Sequence, residues 1–185
     1  MNRIPFLLIY SRIIIALLVI LFALLRVNNE EIIISCLIII GLLTDVFDGI
    51  IARRLNVSSE KLRIWDSNVD QFFWLAVVSS VFYLRFPIVK PLLLPISILL
   101  ALELLTYVVS YFKFKRTIAT HSLLAKLWTL SLLVFLVELT ISSTCFTFNF
   151  CLVLGIISRI EIVLIILTLK NWTTDVPSLF VVGKL

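Results

Sequence analysis

Four aspartates stand out as the residues able to do chemistry. Asp45 and Asp48 are three residues apart, and Asp66 and Asp70 are four apart. Either spacing puts both members of a pair on one face of a helix. The first pair lies near the end of one long apolar run and the second at the start of the next. A short connection makes the two helices neighbours, so that each aims two carboxylates at one point. Four carboxylates so placed repel one another unless a cation intervenes. A hard divalent ion with oxygen ligands, Mg²⁺ or Mn²⁺, resolves the conflict. Charge within a membrane is costly and usually marks function. For any single aspartate the plainer reading stays open: a solvated interfacial charge paired with Arg53, Arg54 or Arg63.

The elements that must position these residues follow from composition. The chain has 185 residues, of which 62% are hydrophobic and 15% charged, with a mean hydropathy of +1.18. A soluble domain is about 45–50% apolar and roughly 25% charged, so much of this chain has to face lipid. Apolar stretches long enough to span a bilayer fall at about 6–26, 32–52, 66–86, 91–112, 123–142 and 147–169. Spans in lipid must satisfy their own backbone, which selects helices. Six strands would be too few for a barrel. The fold class is therefore all-α integral membrane, with six transmembrane helices and a cytoplasm-facing metal site at the ends of helices 2 and 3.

The distribution of Lys and Arg orients the spans. Arg3, Arg53, Arg54, Lys61, Arg63, Lys113, Lys115, Arg116, Lys170 and Lys184 fall on one side, against Arg26, Arg85 and Lys90 on the other. The basic side is cytoplasmic, which places both termini and the aspartates there. The net charge of +5 thus reads as topology, with the lipid bilayer as partner and no nucleic acid. Cys36, Cys145 and Cys151 lack metal-ligand spacing and read as packing residues. The N-terminal apolar stretch lacks a small-residue cleavage site and reads as a retained first helix.

The residues between the aspartates carry a resemblance. Asp45, Asp48, Gly49, Ala52, Arg53, Asp66 and Asp70 occupy seven of the eight fixed positions of the pattern D-x2-D-G-x2-A-R-x8-G-x3-D-x3-D. This resembles the signature of the CDP-alcohol phosphatidyltransferases. Leu62 stands where that family has Gly. Weaker echoes are Ser11-Arg12 in the first span and the Thr120-His121…Lys126 stretch. The resemblance implies one membrane domain over 1–170 with a cytoplasmic tail at 171–185, a bacterial inner-membrane location, and a homodimer as the family's usual assembly.

It also implies roles. Asp45, Asp48, Asp66 and Asp70 would hold the metal, and Asp70 would be the catalytic base. Asp48, Gly49, Ala52 and Arg53 would meet the nucleotide of CDP-diacylglycerol. Gly49 and Ala52 read equally well as helix-packing residues, and Arg53 as a topogenic charge. Arg116, Lys126 and Arg159 are candidates for binding the small alcohol acceptor. An ion pair of Arg159 with Glu103, Glu138 or Glu161 is an equally good account of that buried arginine. If the three basic residues do form a pocket, they favour glycerol 3-phosphate, with inositol, inositol phosphate or serine as alternatives. His121 reads as an interfacial residue. Two other functions share the aspartates: a membrane prenyltransferase, which uses two separated motifs on a longer chain, and a cation-binding or transport protein. The four aspartates stay near one membrane face, which disfavours a transport pathway. A Ser/His/Asp hydrolase is excluded, because no nucleophile has a base nearby.

Overall fold

An apolar run in lipid has only its own backbone for hydrogen bonding, and all the regular elements among the described residues are helical. The computed structural model describes residues 4–54, 60–116, 122–173 and 176–184, with side chains throughout except at 4–6, 52–54, 60–63 and 183–184. The helices are α1 (Ile4–Leu25), α2 (Glu30–Arg54), α3 (Glu60–Leu84), α4 (Phe86–Val89), α5 (Leu93–Phe114), α6 (Leu123–Ser142) and α7 (Phe148–Thr168). Two 3₁₀ turns, Lys90–Leu92 and Leu179–Lys184, complete the set.

Among the described residues five segments are long and apolar enough to cross a membrane: Leu7–Leu25, Glu30–Ile51, Phe86–Phe114, Leu123–Ser142 and Phe148–Thr168. The third expected span, α3, is just as long at 25 residues. Its first three turns, however, carry Glu60, Lys61, Arg63, Asp66 and Asp70. Both α2 and α3 run beyond their apolar limits, to Arg54 and from Glu60. Good helix formers such as Glu, Lys and Arg continue a helix in water after the apolar stretch has ended. The fourth expected span begins earlier than its apolar core, with α4 and a 3₁₀ turn leading into α5. Pro87, Pro91 and Pro95 lie in the opening turns of these three pieces, where no amide proton is needed.

The chain forms two compact units: Met1–Pro87 with Leu136–Thr144, and Ile88–Phe135 with Cys145–Leu185. In the first, α1 packs along both α2 and α3, which touch each other only briefly. The buried stripe of α1 is Ile9, Arg12, Ile15, Ala16, Val19 and Ala23, while Leu7, Tyr10, Ile14, Leu17, Leu21 and Leu24 lie exposed. A helix apolar on both its buried and exposed faces suits lipid on one side and protein on the other. Helix α3 answers with Val69, Phe73, Ala76, Val77, Val81 and Leu84, all buried at helical spacing. Where α2 and α3 meet, Gly41 leaves the space that the Phe73 ring fills. The end of α6 adds Leu136 and Leu139, and the backbone carbonyl of Thr140 accepts from Arg85 at 2.7 Å.

In the second unit α5 packs along α7. Gly155 of α7 brings that helix against Trp128 of α6 and Leu99 of α5. Phe135 and Phe148 close the far end, with ring centroids 5.4 Å apart. Ser122 caps α6, its Oγ accepting from the Ala125 amide at 3.1 Å. Beyond α7 the chain folds back: Val176 and Val182 are buried with Ile165 and Leu169, and the Leu123 amide donates to the Pro177 carbonyl at 2.9 Å.

Candidate metal centre

Three helices of the first unit build the site. Asp45 and Asp48 come from α2, and Asp66 and Asp70 from α3. Helical periodicity turns each pair inward, as the spacings require. The third contributor is α1. Arg12 lies about 8 Å of helix rise inside Leu7 and is fully buried.

Its guanidinium sits among all four carboxylates. Nη1 donates to Asp45 Oδ1 at 2.8 Å and pairs with Asp70 Oδ1. Nη2 pairs with Asp48 Oδ2 and Asp66 Oδ1. Nε has no hydrogen-bond partner. Asp48 is buried, while Asp45, Asp66 and Asp70 are partly accessible. The fork of a guanidinium is suited to bind two carboxylates side by side, and here each Nη atom serves two.

Ligand oxygens of Asp45, Asp48 and Asp66 lie within 4.8 Å of one another. This is the spacing of groups that can share one small cation. The donors are all carboxylate oxygens, the type that Mg²⁺ and Mn²⁺ take. Among the described residues four carboxylates face one guanidinium, a balance that leaves room for a further cation. The residues present therefore fit a hard divalent ion.

Arg12 lies outside the aspartate motif and is marked in the sequence only by the Ser11-Arg12 echo. The signal that finds it is cost: a lone charge inside a strongly apolar first span demands buried partners. The expected direct meeting of α2 and α3 is also modified, since α1 supplies the group around which their carboxylates converge.

The other candidates are distributed differently. Gly49 lies in α2 one residue past Asp48. The side chains of Ala52, Arg53, Arg54 and Leu62 lie outside the described residues, as do Thr120 and His121. In the second unit Arg159 is buried in α7. It pairs with Glu103 of α5 at 2.8 Å, and its guanidinium carbon lies 4.4 Å from the Trp128 ring centroid. Glu103 is one of the three glutamates expected as partners. Arg116 lies over Trp172 at 4.9 Å, and Lys126 is exposed on α6. Thus each of the three basic candidates has its own surroundings.

No individual curated protein and no solved structure matches the chain. A family model, described as CDP-alcohol phosphatidyltransferase, matches residues 2–176. That match spans all the helices just described, and the chain belongs to the CDP-alcohol phosphatidyltransferase family.

Proposed function

We propose that the protein transfers the phosphatidyl group of CDP-diacylglycerol to glycerol 3-phosphate, giving phosphatidylglycerophosphate and CMP. The observation that carries the reading is the convergence of Asp45, Asp48, Asp66 and Asp70 on one point in a chain of this family. The proposal includes six spans, with α3 as the sixth. It places both termini and the aspartates at the cytoplasmic face of a bacterial inner membrane, in a homodimer, with 171–185 as a segment distinct from the membrane domain.

A divalent ion, Mg²⁺ or Mn²⁺, held by the four aspartates would neutralise the diphosphate and the charge developing on CMP. The side chains do the rest. Asp70 takes the proton from the acceptor hydroxyl, for which it must be ionised and within hydrogen-bond reach. The alcohol oxygen then forms its bond to the phosphorus that carries diacylglycerol, and the bond from that phosphorus to the CMP oxygen breaks. Asp48, Gly49, Ala52 and Arg53 orient the nucleotide, with Arg53 offering a planar fork to the diphosphate. Arg116, Lys126 and Arg159 are assigned to the acceptor phosphate.

One observation favours a second acceptor class. Arg159 already meets Glu103 at 2.8 Å, which offsets its charge. An uncharged or zwitterionic alcohol, inositol or serine, needs fewer free cations than glycerol 3-phosphate does.

The test is CMP release from CDP-diacylglycerol by the purified protein with Mg²⁺ or Mn²⁺ and a panel of alcohols. Release with glycerol 3-phosphate alone is the expected result. Release with inositol or serine instead reassigns the acceptor and leaves the reaction class standing. A folded sample that releases CMP with no alcohol at all on the panel refutes the transferase reading.

A further inference from the structure

We propose that Arg12 is a built-in counter-cation of the acidic cluster, which holds the four carboxylates together and competes with a divalent ion for them. The proposal rests on the reading that these aspartates bind such an ion.

The argument begins with burial. Arg12 has no solvent-accessible surface, and a buried guanidinium is tolerated only with anionic partners. It has four, drawn from two helices that barely touch each other. Its own helix packs along both. The side chain is therefore the electrostatic tie between α2 and α3, at the point where their own charges would drive them apart. A divalent ion placed among the same oxygens meets two effects of Arg12. The guanidinium offsets part of the negative charge that attracts the ion, and it uses oxygen lone pairs that the ion needs. At separations of a few ångströms in low dielectric, repulsion between two cations is large. Arg12 thus weakens ion binding while keeping the site assembled.

The experiment compares the full-length protein with Arg12→Gln in detergent micelles, with Mn²⁺ as the probe. Free Mn²⁺ is read by its electron paramagnetic resonance signal, and thermal melting is followed with chelator and with saturating Mn²⁺. Removing the guanidinium should tighten Mn²⁺ binding by about tenfold or more. The variant should melt well below the wild type in chelator, and the gap should narrow in Mn²⁺ because the ion takes over the tie. Equal Mn²⁺ affinity, with the same melting deficit in both conditions, would make Arg12 a packing residue and overturn the proposal alone. Failure of both the wild type and Arg12→Gln to bind Mn²⁺ would overturn the metal reading and this proposal with it. Should Arg12→Gln not fold, Arg12→Gln combined with Asp48→Asn carries the test. Recovery of folded protein supports charge balance as the function of Arg12, and continued failure to fold overturns it.

Discussion

Two buried arginines, one in each unit, have opposite electrostatic settings. Arg159 meets one carboxylate, Glu103, and lies against the face of Trp128. Its charge is matched one to one, and the aromatic ring supplies a further favourable contact. Arg12 meets four carboxylates, so among the described residues its partners carry more negative charge than it offsets. The Arg159–Glu103 pair joins α5 to α7, while Arg159 Nε has no hydrogen-bond partner among those residues. The aspartate cluster, with four carboxylates to one guanidinium among the described residues, fits a further cation. The distinction lies in charge balance, since both arginines are buried and both are paired.

The largest expected effect comes from breaking the unmatched side. Asp70→Asn removes the proposed base and leaves size and shape almost unchanged. Turnover, measured as CMP release, should fall on the order of a thousandfold, with melting close to that of the wild type. Normal turnover would remove Asp70 from the base role.

A smaller effect, on stability instead of turnover, is expected on the matched side. Arg159→Met alone leaves Glu103 buried without its partner and should cost about 3–5 kcal/mol. Adding Glu103→Leu should restore most of that stability, because an apolar pair of similar volume suits lipid surroundings. The comparison is made by thermal melting of the three proteins in detergent, with CMP release assayed alongside. If the double variant melts normally and keeps its apparent acceptor affinity, the pair is structural. A large rise in acceptor KM at normal stability would return Arg159 to the acceptor pocket.

How much of this was legible in the sequence differs between the two regions. The aspartate cluster could be read because helical spacing is local: i,i+3 and i,i+4 fix a face whatever the helix packs on. Helix existence was equally legible, since about 20 apolar residues leave the backbone no alternative. Arg12 was harder, because its partners lie more than 30 residues away, and nothing local shows that α1 packs along both α2 and α3. For Arg159 the sequence offered Glu103, Glu138 and Glu161 with no means of ranking them. Packing decided it: Gly155, one turn before Arg159, lets α7 approach Leu99 of α5 and Trp128 of α6, and Glu103 lies one turn after Leu99. Helix ends were the least legible, since Arg54 and Glu60 continue helices beyond the apolar limits.

The smallest expected effect tests whether Trp128 belongs to the pair or only to the packing. The ring stands 4.4 Å from the Arg159 guanidinium carbon. Its Nε1 lies 2.6 Å from where a Cβ on Gly155 would sit, so it also fills space. Trp128→Phe keeps an aromatic face but weakens its attraction for a cation and opens a gap beside Gly155. Thermal melting should report a loss of about 1 kcal/mol. The informative measurement is the same substitution in the Arg159→Met, Glu103→Leu background, where no cation remains. If the ring acts through the guanidinium, the loss should shrink in that background, and the difference is the coupling between them. An undiminished loss would mean that Trp128 stabilises the unit by volume alone, leaving the ion pair to hold Arg159 without help from the ring.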